Sequence, residues 1–284
     1  MIVAEPLEVS IETKLGAAVA DKRRVAGGDV CDAWRVRLDD GRIVFAKAHR
    51  GGGPMFPAEA AGLRWLAEAN ALRTPGVLGV TEHALILEYV ESGGRTDDFD
   101  EAFGRGLAAL HAHGAPSFGW DRPGVIASLP QDNAPETDWA TFYGQRRLAP
   151  LVRGCIERGR LPPEARTELD ALLRVLPERV GPPEPPARLH GDLWSGNAMA
   201  DAHGEPVIYD PAPYGGHREI DLAMMRLFGG FSPRTFAAYD EATPLAPGHE
   251  DRVELMQLYP VLVHVALFGG HYAASARRTM TRYG

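Results

Sequence analysis

Asp192 and Asn197 stand five positions apart in the run His190-Gly191-Asp192-Leu193-Trp194-Ser195-Gly196-Asn197, and Asp210 follows Asp192 by eighteen. These residue types at this spacing suit phosphoryl transfer to an alcohol, a reaction that asks little covalent chemistry of the protein. One carboxylate orients the hydroxyl and accepts its proton, while oxygen donors hold magnesium on the phosphates of ATP. Asp192 is the candidate for the first task, and Asn197 and Asp210 are the candidates for the second. Alone, an Asp and an Asn so spaced would read as turn-capping residues. The preceding His-Gly favours chemistry, as does the apolar run Val207-Ile208-Tyr209, a strand that would carry Asp210 to a cleft edge.

Two earlier residues answer to the same chemistry. Lys47 shares one face of a predicted strand with Ile43 and Phe45, so its stem points inward. Glu59 falls at i, i+4, i+7 with Leu63 and Leu66, which places a carboxylate on an apolar helix face. A buried carboxylate needs a cation, and Lys47 is the candidate partner, its ammonium left in reach of phosphate oxygens. The bland alternative is that both side chains reach out to solvent. Gly27-Gly28 could let the backbone approach phosphates, and the strand end from Glu88 to Val90 could offer backbone groups to adenine. No Gly-x-Gly-x-x-Gly and no Walker lysine motif is present.

The elements that would position these groups fall into two parts. Trp34, Val36 and Leu38 alternate with arginines, and Asp39-Asp40-Gly41 supplies a hairpin turn into a second strand, Ile43 to Ala48. Pro57 opens a predicted helix that ends before Pro75, and His83 to Val90 reads as a further strand. The pattern then turns helical. Phe103, Leu107 and Leu110 mark one helix stopped at Gly114. Ala165, Leu169, Leu172, Leu173 and Leu176 mark another, opened by Pro162-Pro163 and ended by Pro177. The expected fold is α+β: a strand-rich lobe over residues 1–90 and a larger, mainly helical lobe over 91–284, with the ligand cleft between them.

Composition sets outer limits. The 284 residues are enough for a substantial core, and 45% hydrophobic with 24% charged residues is ordinary for a globular protein. A net charge of −8 argues against a nucleic-acid partner. Charges at Glu5, Glu8, Glu12 and Lys14 interrupt any apolar core for a signal peptide, and the late apolar stretch Leu258 to Gly270 is too short to span a bilayer. Cys31 and Cys155 supply neither a disulfide framework nor a thiolate cage. A cytoplasmic enzyme without a membrane partner, monomeric or weakly dimeric, is expected.

The motif HGDLWSGN, the segment Val207 to Ala212 and the run HREIDLAM from His217 to Met224 resemble the fructosamine kinase family, or ketosamine 3-kinases, within the aminoglycoside-phosphotransferase and protein-kinase-like fold. Met55 to Leu63, FGWD at Phe118, Pro130-Gln131-Asp132-Asn133 and LFGGF from Leu227 extend the similarity over residues 27–272. The resemblance implies a bilobal protein-kinase-like fold. It also implies ATP- and Mg2+-dependent phosphorylation of the sugar 3-hydroxyl of ketosamines, free or carried on a protein, which destabilises the adduct. It implies Asp192 as catalytic base, Asn197 and Asp210 as magnesium ligands, and Lys47 with Glu59 as the phosphate-positioning pair. Trp194 and Tyr214 would border the sugar, and Asp221 would anchor the catalytic loop. The chain departs from the family at Gly124, where Asn is frequent, at Ala127, where Gly is usual, and at Val263 and Ala266 beside His264. Cys31 lies two positions from the phosphate-loop site, held here by Asp29, where some members carry a redox-sensitive cysteine. His190, His217 and His264 read as hydrogen-bonding scaffold, since their spacing fits no zinc site, and His111 reads as a packing residue on its helix. Two alternatives stay open: a kinase of another small alcohol (an aminoglycoside, choline or a sugar) and a silent nucleotide-binding regulator.

Overall fold

The computed structural model describes residues 5–25, 31–49 and 51–284. Helix α1 (Leu7–Leu15) leads into β1 (Val19–Arg24), β2 (Asp32–Leu38) and β3 (Ile43–Ala48), followed by α2 (Met55–Ala67), β4 (Val77–Val80) and β5 (Ala84–Glu88). The strands form one five-stranded antiparallel sheet in the order β1-β2-β3-β5-β4. The hairpin expected around Asp39-Asp40-Gly41 is present, with Val36 opposite Val44 and Gly41 at φ 89°.

Both faces of this sheet are covered. Val36, Val44, Ala46 and Ile86 pack with Leu7 and Ile11 of α1, while Phe45, Leu85 and Leu87 pack with Phe56, Ala60 and Leu63 of α2. Lys47 lies on the α2 face, as its spacing from Phe45 predicts. Ile43, expected on that inward face, is instead exposed, because the strand has only begun there. Helix α2 starts at Met55 rather than Pro57. Pro57 sits in the first turn, where its missing N–H has no intrahelical acceptor to lose.

The remainder is mainly helical. It runs through α3 (Phe99–His113), the hairpin β6 (Gly124–Ile126) and β7 (Leu129–Gln131), and α4 (Trp139–Thr141), which passes through a π-helical stretch, Phe142–Leu148, into α5 (Ala149–Glu157); α6 (Ala165–Arg179) follows. Next come β8 (Ala187–Leu189), β9 (Ala198–Ala200), β10 (Pro206–Ile208) and β11 (Tyr214–Gly216). Helices α7 (Glu219–Leu227), α8 (Pro233–Ala242), α9 (His249–Phe268) and α10 (His271–Tyr283) close the chain. Pro177 does not end α6. Leu176 and Val180 are buried and pin the last turn, where Val180 N–H bonds Leu176 O at 3.1 Å. Pro260 likewise lies inside α9.

Two short antiparallel pairs frame the segment of interest. β11 pairs with β8, Tyr214 opposite Leu189, and β10 pairs with β9, Ile208 opposite Ala198. The residues after β8 and those after β10 therefore emerge together, with Ala212 N–H bonding His190 O at 3.0 Å. Among the described residues, no helix is long and apolar enough to cross a membrane.

Candidate active site

After β8 the chain turns at Gly191, with φ 81°. A β-carbon there would stand 2.0 Å from Ala212 O, so this close pass of two segments requires glycine. Asp221, fully buried in the first turn of α7, accepts N–H bonds from His190 at 2.7 Å and Gly191 at 2.9 Å. Its carboxylate also meets His111 Nε2 at 3.2 Å, and His111 Nδ1 lies 2.8 Å from Tyr239 Oη. Asp221 is thus an anchor of this loop, and His111, expected only to pack, helps hold it. Burial opposes the Asp221 charge, but His111, His190 and the Gly191 N–H outweigh it and keep the carboxyl below its ordinary value. Burial lowers the pKa of His190, leaving a neutral ring whose Nε2–H donates to Tyr209 O at 2.9 Å and whose Nδ1 accepts from Asp192 N–H at 3.3 Å.

Asp192 projects from this braced turn and keeps partial access to solvent. Burial raises its carboxyl to about 7; the Asn197 hydrogen bond opposes that rise, and Asp210 and Asp221 add to it. The 3₁₀ turn Ser195–Asn197 folds Asn197 back, so its Nδ2 donates to Asp192 O at 2.8 Å and Asp192 Oδ2 at 3.1 Å. Asp210 lies two residues beyond β10 with φ 57°, a left-handed backbone that few non-glycine residues adopt.

Lys47 and Glu59 meet as their spacing predicts, Nζ to Oε1 at 2.7 Å, with both side chains nearly buried. The same ammonium also bonds the carboxylate of Asp210, 163 positions later, a contact with no signature in spacing or periodicity. Burial alone would lower the pKa of Lys47, but Glu59 and Asp210 outweigh it and hold the ammonium above its ordinary value. Burial and Asp210 push the Glu59 carboxyl up against the pull of Lys47. Two carboxylates sharing one ammonium leave excess negative charge, and the Asp210 side chain is 34% exposed. That excess, together with the oxygen donors of Asp210 and Asn197, fits a hard divalent cation. Among the described residues no three His, Cys, Asp or Glu side chains form a metal cluster. Magnesium needs none, since it takes one or two protein donors plus phosphates and water.

The other candidates divide. Gly27 and Gly28 lie outside the described residues. Glu88 N–H is taken by Gly76 O at 2.8 Å, and its carboxylate holds Gly76 N–H at 3.1 Å and Arg73 at 2.6 Å. Val90, just past β5, makes no hydrogen bond among the described residues, so its backbone is the better placed of the two to meet a ligand. Trp194 stands 39% exposed two residues from Asp192, its ring laid over Gly196. Tyr214 must be corrected: it is fully buried, with its ring 4.0 Å from the Arg147 guanidinium and 5.5 Å from Phe142, so it cannot border a ligand. Its strand pairs with β8 and turns the ring under the loop into the core. Burial raises the Cys31 thiol against the pull of Lys47, so that thiol is not activated. Reasoning from sequence also assigned no role to Arg147. Its position within a π-helical stretch has no spacing signature.

The chain matches the fructosamine kinase family over residues 4–283. It is 34% identical over 279 residues to the "Probable ketoamine kinase" of Synechocystis sp., covering 96% of this chain and 93% of that protein. It is 35% identical over 282 residues to the chloroplastic protein-ribulosamine 3-kinase of Arabidopsis thaliana, covering 95% and 82%. A solved candidate fructosamine-3-kinase from Thermobifida fusca superposes with a TM-score of 0.89 at 39% identity, covering 96% of each chain. The fold alone extends further, to the choline kinase LicA of Streptococcus pneumoniae, with a TM-score of 0.64 at 13% identity over 98% of this chain and 96% of that one. Aminoglycoside and macrolide phosphotransferases share it too, so the fold is the protein-kinase-like one that the motifs imply.

Proposed function

This chain belongs to the fructosamine kinase family, and on that premise we propose that it uses ATP to phosphorylate the sugar 3-hydroxyl of ketosamines, marking glycated amines for release. The observation that carries this reading is the meeting of Lys47, Glu59 and Asp210, the last 163 positions from the first, beside Asp192 and Asn197. Residues 1–90 serve as the nucleotide-binding lobe and residues 91–284 as the catalytic and substrate-binding lobe.

Each residue then has a defined task. The Asp192 carboxylate orients the acceptor hydroxyl and takes its proton as the new O–P bond forms and the bond to the β-phosphate breaks, with ADP leaving. An ionisation near 7 suits a base that must accept a proton at neutral pH. Lys47, steadied by Glu59, exchanges its contact with Asp210 for phosphate oxygens. Asn197 and Asp210 would hold magnesium, which neutralises phosphate charge when bound. Asp221 fixes the Asp192 turn through two backbone amides, so the base does not need to be ordered during the reaction. Val90 offers backbone groups to adenine, and Trp194 offers a ring face to the sugar.

ADP release measured with ribulosamine and fructosamine beside choline, an aminoglycoside and the parent sugars tests this reading. Turnover confined to ketosamines is expected. Turnover of another alcohol with ketosamines inert would reject it in favour of the other small-alcohol kinase. No turnover with any acceptor would point to the silent regulator.

A further inference from the structure

The LFGGF motif sends two rings in opposite directions. Phe231 enters the core, its centroid 5.1 Å from that of Phe103, while Phe228 remains 41% exposed. Gly229 and Gly230, at φ 69° and 90°, make that reversal. A β-carbon on Gly230 would stand 2.4 Å from Ser195, so the motif lies directly on the turn after Asp192. Phe228 is thereby held edge-on to Trp194, with centroids 6.1 Å apart.

A run of rings continues outward from Phe228. His264 lies 5.0 Å away, and from it Phe268 is at 5.7 Å and Tyr272 at 5.0 Å. His264 is fixed in the middle by its Nδ1–H bond to Pro260 O at 2.7 Å. Phe268, the last residue of α9, is 58% exposed, more than any other large apolar side chain among the described residues. The exposed large aromatic side chains among those residues are Trp194, Phe228 and Phe268, and all three belong to this one run. Rings that keep facing water while contacting one another, contiguous with a catalytic loop, mark a surface for a ligand rather than a folding requirement.

We propose that Phe228, Phe268 and Tyr272 seat the amine side of the ketosamine: its protonated secondary nitrogen and the aliphatic arm that carries it. The inference rests on the ketosamine reading, which fixes one end of the acceptor at Asp192 and leaves the carrier to extend outward. The occupant follows from chemistry. The linking nitrogen of a ketosamine is a secondary amine, cationic at neutral pH, and ring faces attract such cations. The methylenes of a lysine-type arm are matched by the apolar faces beyond it. The carboxylates of an acidic carrier would gain nothing from these ring faces.

The test compares three fructosamines as substrates, built on ammonia, on Nα-acetyl-lysine amide and on glutamate, with wild type and the double variant Phe228→Ala/Phe268→Ala. Both positions are exposed, and an unchanged melting temperature establishes that the variant folds. The KM for the lysine-amide substrate should rise about fivefold to tenfold in the variant with kcat nearly unchanged. The KM for the ammonia-derived substrate, which keeps the cationic nitrogen but has no arm, should rise by less, about twofold. Tyr272→Ala should act in the same direction. In wild type the glutamate substrate should show the weakest KM. Equal losses for the ammonia and lysine substrates, or no loss for either, overturn the proposal while leaving ketosamine phosphorylation standing. If wild type turns over none of the three and none of the matching ribulosamines, the ketosamine reading falls and this proposal with it.

Discussion

The Asp192 carboxyl ionises at about 7 rather than its ordinary 3.8, because it is buried and has Asp210 and Asp221 nearby. Between those values the folded chain keeps a proton that the unfolded chain has released. The group's contribution to folding is therefore whole below 3.8 and lost as the pH rises through about 7. At pH 8 the ionised carboxylate would destabilise the fold by about 4 kcal/mol, and at pH 5 by under about 2 kcal/mol. Its partial access to water roughly halves both figures, to about 2 and about 1 kcal/mol. The amide introduced by Asp192→Asn would carry no charge and could still accept from Asn197. That substitution should therefore raise Tm by about 3 °C at pH 8 and only about 1 °C at pH 5. The same change should lower phosphate transfer by about 10²- to 10⁴-fold, since the base is gone. Calorimetric melts at the two pH values, with turnover measured on the same samples, check both halves. A variant that is less stable at pH 8, or whose Tm gain does not depend on pH, would refute the electrostatic reasoning even if activity were lost.

Four further outcomes follow from the same geometry. In wild type, kcat/KM should fall with a one-proton slope below about pH 7, as Asp192 takes up its proton in the free enzyme; a flat profile from pH 8 to 6 would contradict this. Lys47→Met leaves Glu59 and Asp210 facing each other without their cation. Denaturant melts should show a loss of about 2 kcal/mol, and adding Glu59→Gln should recover stability without recovering ATP use. Asp221→Ala strands the buried amides of His190 and Gly191. It should reduce stability by about 3 kcal/mol and lower kcat more than it raises the KM for ATP. Ala127, at φ 51° in the β6–β7 turn, occupies backbone that suits glycine. Ala127→Gly should raise the urea midpoint by the equivalent of about 0.5–1 kcal/mol.

The parts of this molecule that local chemistry decides were legible in the sequence. The β2–β3 hairpin follows from alternation and one turn tripeptide, and the Lys47–Glu59 contact follows from two periodicities that both point inward. The anchoring role of Asp221 came from the family resemblance of its motif, and its contacts with the His190 and Gly191 amides bear that out. What stayed hidden depends on packing between distant segments. The bond from Lys47 to Asp210 closes only when β10 delivers Asp210 in a left-handed backbone, which no periodicity encodes. Tyr214 was expected beside the sugar on the family resemblance alone. Pairing with β8 turned it under the loop instead. Proline proved weaker punctuation than expected, since buried neighbours carried α6 past Pro177.

The central claim concerns one oxygen atom on one class of acceptor. Fructosamine incubated with ATP, magnesium and the protein should yield a product whose phosphorus couples, in a phosphorus–proton NMR correlation, to the proton on sugar carbon 3. Transfer should fall by at least about a hundredfold with Asp192→Asn while ATP still binds. A phosphate found on any other carbon, or transfer undiminished by the loss of Asp192, would contradict the account.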